Sequence, residues 1–446
     1  MKNRKRGTVP INTPKIVILG AGLSGLSAAY HLNQSSAVFE KEDKVGGLCR
    51  SIQINNFIFD YGPHILFPKD AYVARLIKRL LGNNLHIQSR EAYIYHRYCD
   101  VYTRFPFQSH LYGLPVSVVK DCILGFINTL EKKQKKPRHY EDWIIWNFGG
   151  GIAKQLMIPY AKKIWTISPK RMNFAWVWNR VPRLSLGDLL DGALQDNPKL
   201  FGFNTEFWYP LHGGIEGLPF SFLSRVKNIH LNKKISRIYL KQKCVEFSDK
   251  TKVDYERLIS TLPLPELIKR IDSVPKSVRK AAQSLKNNSV YCVNLGVERE
   301  KISPHHYIYF YEPDFAFHRI SFPMNLSPHT TPKGHSSVTT ETSYSRYKKI
   351  SRENIVDRII EDLIKAKILF PDDKIVVSDV ADLKVAYVIY DLDHRKNVNT
   401  IHRFLRQHDI FPCGRFGEWE YFNMDHSIAS GKRTAEEINK ISIKQS

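Results

Sequence analysis

The chain has 446 residues, of which 43% are hydrophobic and 25% charged, so two packed domains can each build a core and a disordered or fibrous protein is excluded. Lys and Arg number 67 against 43 Asp and Glu, a formal net charge of +24, so the surface field favours anionic partners. A phosphorylated small molecule, an anionic membrane leaflet and nucleic acid all fit that field, and composition does not choose among them.

In chain order, Lys15-Ile16-Val17-Ile18-Leu19 is a short apolar run ending at glycine, the profile of a buried parallel strand. Leu23 to Leu32 carries small and apolar residues at helical spacing, and Ala37-Val38-Phe39 reads as a second strand, which completes a βαβ unit. Leu66 to Leu81 predicts a helix and Arg90 to Pro106 predicts strands. Val116 to Trp165 is helical in pattern, interrupted by a basic connector from Lys132 to Arg138. Gly213-Gly214 marks a sharp turn, and strands follow in Ile229 to Phe247 and Leu258 to Leu262. Ser351 can cap a helix whose apolar face is Ile355, Ile359, Leu363 and Ile364, and Lys374 to Tyr390 is extended. The alternation predicts an α/β protein, a parallel-sheet domain from 14–90, 205–265 and 405–440 interleaved with a mixed α+β domain from 91–204 and 266–404. Gly20, Gly22 and Gly25 at the first turn make the former a Rossmann-type dinucleotide-binding domain, which leaves the latter as the substrate domain.

Gly20-Ala21-Gly22-Leu23-Ser24-Gly25 is G-x-G-x-x-G set between the first strand and the helix, where its mechanism requires it. Gly20 permits a tight turn, Gly22 lets a pyrophosphate approach the backbone, and Gly25 lets helix and strand pack closely. The diphosphate then rests on the exposed N–H groups of the helix N-terminus. Glu40 closes the second strand twenty positions after Gly20, where a carboxylate can accept ribose hydroxyls.

After Glu40 and Lys41 a second glycine pair follows in Gly46-Gly47-Leu48-Cys49-Arg50, and Tyr61-Gly62-Pro63-His64 lies just beyond. This arrangement resembles the FAD-dependent family that contains amine oxidases, protoporphyrinogen oxidases and UDP-galactopyranose mutases. The C-terminal run Cys413-Gly414-Arg415-Phe416-Gly417-Glu418-Trp419-Glu420-Tyr421-Phe422-Asn423-Met424-Asp425-His426-Ser427 resembles the mutase branch, with a spacing two residues shorter than in its eukaryotic members. The resemblance implies FAD, active in its reduced form. The cofactor would be held by Gly20, Gly22, Leu23, Ser24, Gly25, Glu40, Lys41, Gly46, Gly47, Leu48 and Arg50 from the N-terminal unit. His64 would lie against the isoalloxazine, and Gly414, Arg415, Met424, Asp425 and Ser427 would close the site.

Further patches carry the resemblance into a substrate site. Tyr160 and Trp165 match a uracil-stacking tyrosine and a sugar-pocket tryptophan of the mutases, and Arg319, Tyr387, Tyr421 and Asn423 match residues around the substrate diphosphate. In Trp178-Asn179-Arg180-Val181-Pro182-Arg183 either Arg180 or Arg183 is the phosphate-clamping arginine. Arg415, His64 and that arginine are the implied catalytic group, with the reduced cofactor, not a side chain, as the nucleophile. Guanidinium forks suit a nucleoside diphosphate because they answer its oxygens bidentately.

Two activities follow from the resemblance: a nucleotide-sugar pyranose–furanose mutase in glycan or polysaccharide biosynthesis, or a flavin oxidoreductase of the amine oxidase branch. Arg415, Tyr421 and Asn423 favour the mutase, since an oxidase of neutral or cationic amines has no use for them. No nucleic-acid motif accompanies the charge, so a nucleic-acid partner is not expected. The six cysteines (Cys49, Cys99, Cys122, Cys244, Cys292, Cys413) are scattered and meet no histidine at metal spacing, which predicts reduced thiols and no metal. No run reaches the roughly 18 apolar residues of a membrane span, and no apolar segment follows the basic start Met1 to Arg6. A soluble cytoplasmic protein able to touch an anionic membrane peripherally is the expectation.

Overall fold

A computed structural model describes residues 14–130, 136–177, 180–197 and 205–443. Part of the basic connector, with Trp178 and Asn179, lies outside them. The strand β1 (Ile16–Leu19), helix α1 (Leu23–His31) and strand β2 (Ser36–Phe39) form the βαβ unit at the N-terminus. Their sheet is wholly parallel, in the order Ile410–Pro412, Arg257–Ser260, β1, β2, Ile229–His230. Chain order reverses between β1 and Arg257–Ser260, and the crevice beyond the carboxyl ends of strands at such a switch point is where open α/β sheets bind ligands. β1 is buried along its whole length, as its uninterrupted apolar run requires.

The second sheet has seven strands, ordered Ile375–Ile389, Lys286–Val297, Ser336–Tyr344, Arg319–Ser321, Tyr307–Tyr309, Ala92–His96, Val101–Arg104. It is antiparallel except where Tyr307–Tyr309 runs parallel to Ala92–His96. The helix Ile355–Lys365 buries Ile355, Ile359 and Leu363 against it, with Ile364 half-buried beside them. Its cap differs from the expectation: Asn354 occupies the cap position in a left-handed conformation, and Ser351 Oγ accepts from Glu353 N–H within the preceding turn.

Helices Val116–Leu130, Tyr140–Ile152 and Ile158–Trp165 form a helical layer that carries Tyr160 and Trp165 on its last member. The predicted helix over 66–81 begins only at Ala71, where the Asp70 carboxylate accepts Val73 N–H at 2.8 Å. Leu66 is instead bridged to Trp208 in extended conformation. The Gly213-Gly214 turn is present, with φ of 81° and 69°. A Cβ on Gly214 would stand 2.4 Å from Ser51 Oγ, so only glycine fits there.

Candidate active site

The glycine turn is built by close approaches that only hydrogen side chains allow. Gly20 has φ 99° and a Cβ there would lie 2.2 Å from Thr261 Oγ1; one on Gly25 would lie 2.0 Å from the Gly20 carbonyl. No side chain caps the N-terminus of α1 and no acid lies in its first turn, so its leading amides face the crevice with a positive partial charge. Leu23 and Ser24 belong to that turn and are buried. Glu40, also buried, accepts Ala21 N–H at 2.7 Å and Glu42 N–H at 3.1 Å, which ties the end of β2 to the glycine turn.

The second glycine pair is brought against the first. Gly46 N–H donates to Ala21 C=O at 2.9 Å, and Gly46 bridges Gly22. A Cβ on Gly47 would come within 3.2 Å of the Gly22 Cα. Arg50 folds over this pair, its Nε donating to Gly47 C=O at 3.0 Å and its guanidinium standing 4.8 Å from the Tyr61 ring. Leu48 packs with Tyr61 and Tyr387 against Cys292 and Leu383. The Lys41 side chain is exposed and pairs with Glu42 at 3.0 Å.

The C-terminal segment closes the same place from the other side. Gly414 has φ 77° and a Cβ would lie 2.1 Å from Ser24 Oγ. The long helix Met424–Ile443 lies along α1, where Ser27 Oγ donates to Ile428 C=O at 2.7 Å and Gly431 sits against the Ser24 carbonyl. Met424 and Asp425 are buried at the start of that helix, and Ser427 N–H bonds Asn423 C=O at 3.0 Å. Burial works against the charged form of Asp425, and His426 together with backbone N–H groups holds its pKa below the usual value all the same. These uncapped amides, the glycine cradle and the buried Glu40 fit the diphosphate and ribose of a dinucleotide.

Beyond the cradle, residues from distant segments converge. Arg415 donates through Nη2 to Ala386 C=O at 2.7 Å and through Nη1 to Phe422 C=O. Its Nε is buried with no partner among the described residues. Burial depresses the Arg415 pKa, and Tyr421 and Tyr387 offset this in part. Arg180 donates to Asn423 Oδ1 at 3.2 Å and to Tyr421 C=O, with its guanidinium 4.1 Å from the Tyr421 ring. Arg183 is exposed and lies over Trp146 instead.

Trp165 is buried and meets Tyr387 and Tyr421 edge-on at 5.9 and 5.6 Å between centroids. Tyr160 stands edge-on to Tyr309 at 5.8 Å. Arg319 is ion-paired through Nε to the buried Glu341 on the neighbouring strand. Burial opposes the Arg319 charge, but Glu341, Tyr387 and Tyr309 outweigh it and raise the pKa. His64 feels the charges of both arginines. Burial pushes its pKa down to about 4; the Gly62 carbonyl, accepting from Nδ1 at 2.7 Å, opposes this, and the charges of Arg415 and Arg319 reinforce it. His64 is therefore a neutral imidazole at physiological pH.

Several residues of this wall escaped the sequence reading. Glu341 is one, since nothing local marks it as the partner of Arg319. Arg90 is another: its Nη2 donates to Tyr309 Oη at 2.5 Å, and its guanidinium lies within 5.1 to 6.0 Å of the rings of Phe105, Tyr307, Phe67 and Tyr309. The clue was an arginine at the head of an aromatic strand run. Trp176, 4.8 Å from Trp165, is the third.

Residues 162–439, more than half of the chain, match the model of the flavin-containing amine oxidoreductases, and 18–80 match an NAD(P)-binding Rossmann-like domain. The chain belongs to the flavin-containing amine oxidoreductase family. Its structure is similar to a crystal structure of reduced UDP-galactopyranose mutase, with a TM-score of 0.91 at 25% identity over 97% of this chain and 95% of that one. Putrescine oxidase bound to putrescine shares the fold at a TM-score of 0.66 and 17% identity, over 95% of this chain and 98% of the other. A 4,4'-diapophytoene desaturase of Staphylococcus aureus is 35% identical over 92 residues, 19% of this chain, and that match spans 18% of the desaturase. A UDP-galactopyranose mutase-like member of this flavoenzyme family, with a Rossmann-type α/β domain and a flavin cofactor, accounts for the cradle. Among the described residues, no helix is long and apolar enough to cross a membrane, and no cluster of side chains could hold a metal ion.

Proposed function

We propose that this flavoenzyme is a nucleotide-sugar mutase that interconverts pyranose and furanose forms with reduced FAD. The convergence of Arg180, Arg415 and Arg319 with Tyr387 and Tyr421 beside His64 carries this reading. A nucleoside diphosphate presents dense negative charge to such a wall, and partial burial strengthens each guanidinium–phosphate contact. Reduced FAD, when bound, supplies the nucleophile for the anomeric carbon. The first-turn amides of α1 and the Gly46-Gly47 pair would hold its diphosphate, and Glu40 its ribose.

The chain's own residues then divide the remaining work. Arg180 and Arg319 bind the substrate diphosphate and hold it while it is detached from the sugar. Tyr387 and Tyr421 donate hydrogen bonds from their hydroxyls to its oxygens; burial and the neighbouring Glu341 raise the Tyr387 pKa, which keeps that hydroxyl protonated. Trp165 and Tyr160 exclude water and pack the sugar and base. Neutral His64, its Nδ1–H held by the Gly62 carbonyl, would offer the Nε2 lone pair to the flavin as an acceptor without adding a charge. Arg415 would lie between sugar and cofactor.

Oxidoreductase chemistry is the second reading, favoured by the desaturase likeness and by the family itself. Chemically reduced protein is expected to isomerise a nucleotide sugar with no net electron transfer, while oxidised protein stays idle. Peroxide formation in step with substrate loss overturns the mutase reading. The purified protein is expected to be yellow and to release FAD on denaturation.

A further inference from the structure

The strand Lys286–Val297 is buried and mostly apolar, yet it carries Asn287-Asn288-Ser289 where it passes the strand Ile375–Ile389. The register between the two strands breaks there. Asn288 faces Tyr387 and Val290 faces Leu383, so Lys384, Val385 and Ala386 bulge out opposite Ser289 alone. A bulge beside an active site re-aims the side chains that flank it. Here it delivers the Ala386 carbonyl to Arg415 Nη2 and sets the Tyr387 ring 5.3 Å from the Arg415 guanidinium.

The three polar side chains account for the bulge. Ser289 Oγ and Asn287 Nδ2 both donate to the Lys384 carbonyl, at 2.8 and 3.1 Å. Asn288 has no solvent exposure. Its Oδ1 accepts Tyr387 N–H at 3.0 Å, and its Nδ2 donates to the Ile164 carbonyl at 2.5 Å. Each partner has one role only, so the amide orientation is dictated by chemistry. Ile164 precedes Trp165, at the end of the helix that also carries Tyr160.

We infer that Asn288 is a positioning residue, which couples the Trp165 helix to the Tyr387 bulge and thereby sets the width of the substrate cleft. It touches neither substrate nor cofactor, and it acts through Trp165 and Tyr387. The functional half of this inference rests on the nucleotide-sugar reading, while the structural coupling does not.

Asn288→Asp is the discriminating variant. An ionised carboxylate still accepts from Tyr387 N–H but meets the Ile164 carbonyl oxygen to oxygen; a protonated one can donate to it again. Burial raises a carboxyl pKa, so the switch lies within an accessible range. Titration of UDP is expected to show affinity about tenfold weaker than wild type at pH 8, recovering toward wild type near pH 5.5, with FAD content unchanged. Wild type measured in parallel shows no such recovery. Equal affinity to wild type at pH 8, or a defect that does not respond to pH, overturns the inference. Asn288→Ser is examined by amide hydrogen exchange: faster exchange in both 158–166 and 384–389, with 244–254 unchanged, is expected. If the two segments do not move together, the coupling is wrong. If wild type binds no nucleoside diphosphate, the functional reading fails, and the exchange experiment alone decides the coupling.

Discussion

The Arg180 guanidinium lies 4.1 Å from the Tyr421 ring centroid and the Arg415 guanidinium lies 5.0 Å from the same ring, so two cations from opposite parts of the chain share one aromatic side chain. Their hydrogen bonds run to neutral oxygens of Asn423, Tyr421, Phe422 and Ala386. Two like charges so close repel, and an anion placed between them relieves the repulsion.

Arg180→Ala is therefore expected to weaken UDP binding at least about tenfold, or about 1.4 kcal/mol, in a calorimetric titration. Arg183→Ala should change it less than about twofold, because that side chain is exposed over Trp146. Arg180→Lys should recover only part of the affinity, since an ammonium neither forks nor stacks as a guanidinium does. Equal effects of Arg180→Ala and Arg183→Ala would contradict the assignment.

The Arg319–Glu341 pair separates stability from binding. Arg319→Ala leaves a buried carboxylate unpaired, at a cost of about 3–5 kcal/mol, and under the proposed function it also removes a phosphate contact. Arg319→Ala combined with Glu341→Ala should regain much of the lost thermal stability while UDP binding stays at least about tenfold weak. Recovery of binding in the double variant would show that Arg319 has no role at the diphosphate.

Cofactor content should respond to glycine replacement according to space. Gly25→Ala places a methyl group 2.0 Å from the Gly20 carbonyl, so the turn must open and FAD retention should fall by at least about tenfold. Gly150→Ala meets nothing within 4 Å and should leave bound FAD and melting temperature unchanged or slightly improved. Absorbance of purified protein at flavin wavelengths, normalised to protein, checks both.

Acid should destabilise the protein through His64. Its folded pKa is pushed down to about 4, below its ordinary value of 6.5, so between those pH values the unfolded chain binds the proton and the folded chain does not. Stability contributed by the neutral ring is present above pH 6.5 and is lost as pH falls toward 4, on the order of 3 kcal/mol. His96, His306 and His402 are depressed in the same direction by burial, whereas burial raises Asp60 to about 6 and acts oppositely. Thermal melts between pH 7 and pH 5 should show a smaller fall for His64→Asn than for wild type. A parallel fall would mean that His64 is protonated in the folded protein.

The parts of the site legible in the sequence are those whose physics is local. Gly20, Gly22 and Gly25 are spaced by the geometry of one strand-turn-helix unit, and the apolar run Ile16–Leu19 declares a strand buried on both faces. Helix boundaries were less legible. Leu66 and Asp70 are separated by four positions: Pro68 between them disfavours helix, the bridge from Leu66 to Trp208 holds the first extended, and the Asp70 carboxylate starts the helix. The position of Arg415 was readable from the resemblance of its segment, but its orphaned Nε and its bond to Ala386 were not.

What the sequence by itself determined is the dinucleotide turn, the parallel strand behind it and the positive charge available to an anion, because each follows from residues within one element or from composition. Only the tertiary structure decided which arginines share a site. Arg180 and Arg183 are three positions apart, and packing alone turns the first onto Tyr421 and the second onto Trp146. Arg319 acquires Glu341 because Arg319–Ser321 pairs with Ser336–Tyr344, and Gly414 is required because Ser24 stands 2.1 Å from where its Cβ would be. Contacts between residues far apart in the chain depend on sheet register and helix packing, which no local pattern encodes.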